Sequence, residues 1–209
     1  MGRAMPGAVV MRLCAQACAI IILLSLAAGC VSDQQKIDAI NAVNDVLRNE
    51  YERILAEDGT RTYNVPRDQA FDAMRVAFGR LGMLVADQSP DLGILSVYAP
   101  APRPITDDEW RQAANADLPM VREIVVQRVG PLGYLFTFEA QGLDIVVTAT
   151  AIQVRGGTSI SLTMRMREVA PPKTGYPRRE YAPPTGVRMG LRTIWAAIER
   201  ELPPGSRRL

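Results

Sequence analysis

The residue pattern predicts an α+β domain of two layers: an antiparallel sheet of about six or seven strands, helices packed on one of its faces, and a further helix ahead of it. Three observations point that way. Apolar residues recur at spacings of three and four near 37–55, 70–81 and 187–202, the period of a helix with one buried face. Between 144 and 167 apolar and polar residues alternate on either side of a Gly-Gly pair, the period of a half-buried hairpin. Gly and Pro, 16 and 15 in number, cluster between such stretches rather than inside them.

The elements follow in order. Ser32 and Asp33 cap a helix that runs to about Glu57 and stops at Asp58-Gly59. Its stripe of Ile37, Ile40, Val43, Leu47, Tyr51, Ile54 and Leu55 is expected to pack on the domain, the alternative being a stalk that offers the stripe to a partner. Thr60–Val65 reads as a strand, and Pro66 opens a helix that buries Ala70, Phe71, Met74, Ala77, Phe78 and Leu81 before Gly82 ends it. Strands are expected at Met83–Asp87 and Ile94–Tyr98, around the turn Ser89-Pro90-Asp91. Prolines then break the chain, and residues 100–119 read as an excursion whose only helix is short, capped by the Thr106–Glu109 box and carrying Trp110.

A meander of four strands is expected next: Val121–Val129, Tyr134–Ala140, Asp144–Val154 and Thr158–Arg167. If Gly156-Gly157 is the two-residue turn, Ala151 faces Leu162, Ala149 faces Met164 and Val147 faces Met166. Those six share an apolar face with Ile145 and Ile160, and Thr148, Thr150, Ser159, Ser161, Thr163, Arg165 and Arg167 fall on the other. Residues 170–185 form a second Pro-rich excursion with Tyr176, Arg178, Arg179 and Tyr181, and a last helix spans about Gly186–Leu202.

Composition removes several functions. With 48% hydrophobic and 22% charged residues the chain is globular rather than disordered. Its 24 basic and 22 acidic residues nearly balance, which excludes the basic footprint of a nucleic-acid binder. There is no histidine, so the commonest general base and zinc ligand is absent. Single carboxylates such as Asp87, Asp91, Glu109, Glu123, Glu139 and Asp144 form no paired motif, and no Gly-rich phosphate loop precedes a helix. No enzyme, catalytic residue, metal or cofactor is expected.

The N-terminus reads as an address. Arg3 and Arg12 precede an apolar run, densest over Ala17–Leu26, and small residues follow it. The run Leu26-Ala27-Ala28-Gly29-Cys30 resembles the lipobox of bacterial lipoproteins, although that family prefers Leu, Val or Ile where Ala27 stands. The resemblance implies cleavage before Cys30, a diacylglycerol (with palmitate) on its thiol, and an envelope protein anchored in the membrane by its N-terminal lipid. Residues 1–29 are then the signal peptide, 30–59 the lipidated Cys and helix, and 60–209 a single domain. Cleavage discards Cys14 and Cys18 and leaves 180 of the 209 residues, with 22 basic and 22 acidic side chains. Val31 and Ser32, rather than an Asp, stand directly after Cys30, and the resemblance then implies the periplasmic face of the outer membrane.

The segments Tyr63–Ala73, Leu81–Asp87 and Gly93–Leu95 resemble the helix-grip domains of BamC-type outer-membrane lipoproteins. That implies a non-catalytic binding or scaffold module in outer-membrane protein assembly, with an envelope protein as partner. Trp110, Tyr176, Arg178, Arg179 and Tyr181 are the candidate docking residues, because Tyr, Trp and Arg are enriched at binding hot spots. The alternative is a carrier of a lipid or other hydrophobic ligand. Its cavity would lie between sheet and C-terminal helix, lined by Met74, Met164, Met166 and Met189.

Overall fold

The computed structural model describes residues 31–169 and 180–209. Cys30, Tyr176, Arg178 and Arg179 lie outside them. Helix α1 (Asp33–Asp58) leads into strand β1 (Thr60–Tyr63) and helix α2 (Arg67–Arg80). Strands β2 (Leu84–Ser89) and β3 (Ile94–Pro100) follow, then helix α3 (Asp107–Val129) and a 3₁₀ segment (Gly130–Leu135). Strands β4 (Leu143–Val154) and β5 (Gly157–Glu168) and helix α4 (Pro184–Glu201) complete the domain. The fold is α+β, with one antiparallel sheet of five strands in the order β1-β5-β4-β3-β2.

Two of the expected strands are absent. Val121–Val129 belongs to α3, where Trp110, Ala113, Val121 and Val125 form its buried face. Pro119 does not end the helix because it sits on the exposed side. The hydrogen bond it cannot donate would have gone to the carbonyl of Asn115, a residue on the same wetted side. The expected excursion therefore shrinks to a few residues before Thr106. The capping box is as expected: Glu109 N donates to Thr106 Oγ1, and the Glu109 carboxylate accepts from Thr106 N at 2.8 Å. Tyr134–Ala140 is no strand either. The chain turns back on α3 so closely that a Cβ on Gly133 would lie 2.6 Å from Val126 N.

The β4–β5 hairpin keeps its apolar face but pairs two residues away from the expected register. Ala149 faces Leu162, Val147 faces Met164 and Ile145 faces Met166. Arg155-Gly156 forms the turn, with Gly156 at φ 90°, the left-handed second position of a type II turn. Gly157 is needed instead for close approach, since a Cβ there would collide with the Tyr63 carbonyl oxygen on β1. Because strand side chains repeat every two residues, a slip of two leaves each side chain on its own face.

Helices cover one face of the sheet. Leu95, Val97, Val147, Ile160 and Leu162 are buried there against Met74 and Phe78 of α2 and Leu191, Ile194 and Ile198 of α4. The stripe on α1 joins this core through Ala39, Val43, Leu47, Tyr51 and Ile54. Its last turn is clamped to α4 by a 2.8 Å hydrogen bond from Trp195 Nε1 to the Asp58 carbonyl. The opposite face, with Ser96, Thr148, Thr163 and Arg165, is partly or fully exposed. The free edge of β1 is closed by the C-terminal tail: Asn64 N donates to Arg207 O and Leu209 N to Thr62 O.

Candidate apolar cavity

β5 is longer than β1, so its outer edge must find other partners past Ser161. Leu162 N donates to Gly59 O, Met164 N to the Tyr51 hydroxyl, and Met166 N to Glu180 O. This substitution pulls α1 and the chain before α4 against the end of the sheet. The two do not meet α3 flush, and an apolar cavity of about 280 Å³ remains.

One wall is the N-terminal half of α1, with Ile40, Val43, Asn44 and Leu47. Leu143 and Met166, at the ends of β4 and β5, form the floor. The facing wall is the irregular segment Phe136–Glu139, where Phe136 and Phe138 meet edge to face with ring centroids 5.3 Å apart. Two bonds to α3 hold that segment: Trp110 Nε1 donates to Phe138 O at 3.0 Å and Arg122 to Phe136 O at 3.4 Å.

Two of the candidate docking residues, Trp110 and Tyr181, line this same cavity, 6% and 7% exposed. Tyr181 stacks at a tilt on Tyr51, centroids 5.5 Å apart, and its hydroxyl accepts from Arg48 Nε at 3.3 Å. That bond to Tyr181 raises the Arg48 pKa above its ordinary value. Burial likewise pushes the Tyr51 hydroxyl pKa up. Residues 176, 178 and 179 lie outside the described chain.

The cavity described here lies at α1, whereas the carrier alternative places one between sheet and α4, where the packing at Gly190 is tight. Gly190 lets α4 sit so low that a Cβ on it would lie 2.9 Å from Met164 Sδ. Of the four methionines, Met166 lines the observed cavity, Met74 and Met164 are core, and Met189 packs on the core's margin. Phe136, Phe138, Ile40, Asn44 and Leu143 were not among the candidates. The two Phe residues two apart carried a signal, but in a segment read as a strand.

Among the described residues no three acidic or thiol groups are arranged to hold a metal ion, and no helix is long and apolar enough to cross a membrane. Comparison with protein-family models, with curated proteins and with solved structures finds no match.

Proposed function

We propose that this chain is a lipid-anchored, non-catalytic binding module of the cell envelope, and that its ligand is apolar and occupies the cavity between α1 and Phe136–Phe138. The observation that carries the reading is the lining: twelve residues of which Asn44, Thr137 and Glu139 alone are polar in kind, enclosing about 280 Å³. Apolar cavities stay dry and take up apolar guests; one of about 150 Å³ admits benzene. The volume here sits near the lower end of small-molecule sites, about 300–1,000 Å³, which suits a stretch of one acyl chain rather than a whole two-chain lipid.

The lipobox pattern supports an anchor at Cys30, three residues before α1 begins. A module so tethered works beside a reservoir of acyl chains. The domain is of the helix-grip kind in our reading, and the similarity of residues 63–95 to BamC-type lipoproteins supports a place in outer-membrane protein assembly. Mass spectrometry of the protein purified from its own membranes tests the ligand: a co-purifying fatty acid or lysolipid supports the reading, and clean protein after gentle extraction counts against it. In-cell crosslinking, with Tyr176, Arg178 and Arg179 replaced together by Ala and the cavity residue Tyr181 kept, tests the envelope partner.

A further inference from the structure

One apolar feature lies outside the cavity yet leads into it. The 3₁₀ segment at the end of α3 exposes Leu132 by 54%, Tyr134 by 62% and Leu135 by 75%. Single exposed apolar residues are ordinary on protein surfaces, but three of four consecutive residues at one tip are a patch. The tip is a held shape: Gly133 is buried against Val125 and Val126, and Phe136 N donates to Gly133 O. Packing of Gly133 turns its neighbours outward.

Leu135 is followed directly by Phe136, which lines the cavity, so the tip and the cavity wall are adjacent along the chain. Arg128 stands exposed in the last turn of α3, and Arg122 holds the Phe136 carbonyl on the same helix. Tyr134 shares a groove with Arg122 and the exposed Glu123, and apolar side chains beside arginines, with a tyrosine among them, match the layers of a bilayer surface: acyl chains below, phosphates above, amphipathic rings between.

Resting on the cavity reading, we infer that Leu132, Tyr134 and Leu135 dip into the membrane surface, and that an acyl chain passes from the bilayer along Phe136 and Phe138 into the cavity without crossing water. The partner of this surface is lipid.

The test uses full-length processed protein in vesicles of phosphatidylethanolamine and phosphatidylglycerol, with acyl chains brominated or not. Leu135→Trp reports on the tip. Ile152→Trp is the control, because Ile152 is 58% exposed and lies nine residues along β4 from Leu143. After subtraction of the wild-type spectrum, Leu135→Trp emission is expected at shorter wavelength and largely quenched by brominated chains, and Ile152→Trp unshifted and unquenched. A Leu135→Trp signal like that of the control overturns the inference. So does a blue shift that bromine leaves intact and that fades on dilution of protein in lipid, since a second copy then covers the tip.

Leu132→Asp with Leu135→Asp separates entry from occupancy. Transfer of a photoreactive fatty acid from vesicles to the cavity is expected to slow severalfold, with labelling by the free acid in solution unchanged. Equal rates from vesicles overturn the route alone, and absence of cavity labelling from either source condemns the cavity reading instead.

Discussion

The Tyr51 hydroxyl on α1 lies 3.1 Å from the backbone nitrogen of Met164 on β5 and accepts its hydrogen bond, doing for the sheet edge what a sixth strand would have done. The same bond fixes the height of α1 above the sheet and so the width of the cavity beneath its N-terminal half. Tyr51→Phe keeps the ring against Tyr181 but leaves the Met164 amide buried without a partner, at a cost of about 1–3 kcal/mol. Urea unfolding should show a lower midpoint with an unchanged slope, and hydrogen exchange should quicken at Met164.

A second bond across elements starts α4. Pro183 and Pro184 offer no side-chain cap, and the Thr185 amide and hydroxyl donate instead to Asp117 of α3, at 2.7 and 2.8 Å. Burial nonetheless raises the Asp117 pKa above its ordinary value. Between the ordinary and the raised pKa the folded state therefore keeps a proton that the unfolded chain has released. This group's contribution to stability is full below the ordinary carboxylate pKa and is lost as pH rises through the raised folded one. Asp117→Asn should flatten that part of the stability-against-pH curve, and an NMR titration of the Asp117 carboxyl should report a midpoint above that of an exposed aspartate. Asp117→Ala, which removes both the cap and the titrating group, should cost about 0.5–2 kcal/mol at low pH and less as pH rises through the raised pKa.

The two hairpin glycines serve different needs and should respond differently to alanine. Gly156→Ala forces a left-handed residue and should cost about 1–2 kcal/mol. Gly157→Ala drives a methyl into the Tyr63 carbonyl and must part β1 from β5, so its melting temperature should fall further than that of Gly156→Ala.

Cys30 carries the lasting attachment in this account, and the tip at Leu132, Tyr134 and Leu135 adds only a contact with the surface. Acyl burial is worth about 0.8 kcal/mol per CH₂, so two or more chains hold the protein indefinitely. Cys30→Ser should accumulate as unprocessed precursor without palmitate label, and a mature-sized, labelled variant would contradict the lipobox reading. The wild type should sediment with outer-membrane markers.

Much of this fold was legible because local and tertiary signals agreed. The stripes on α1, α2 and α4 and the alternation in β4 and β5 each name one face, and that face is turned to the core, with Ile37, Ile40, Leu55 and Leu81 only half-buried at its margins. The failures lie where they disagreed. Val121–Val129 is rich in β-branched residues behind a proline, yet Val121 and Val125 continue the spacing begun by Trp110 and Ala113, and packing on that spacing outweighed propensity. The hairpin register was missed because Gly157 meets a distant carbonyl that no local pattern announces. Of the candidate residues, Trp110 and Tyr181 come together across 71 positions of sequence only because Met164 and Met166 recruit substitutes for a missing strand.

The cavity is tested most directly by photo-crosslinking in vesicles that carry a phospholipid with a diazirine in its acyl chain, using full-length protein and its Val43→Trp variant. Val43 is 5% exposed and lines the cavity, so an indole in its place occupies the space a ligand would take. The wild type should carry label within Ile40–Leu47 and Phe136–Glu139, and Val43→Trp should lose that label with its melting temperature and its Cys30 lipid unchanged. Label absent from both segments in the wild type, or undiminished in a folded Val43→Trp protein, would contradict an apolar ligand in this cavity.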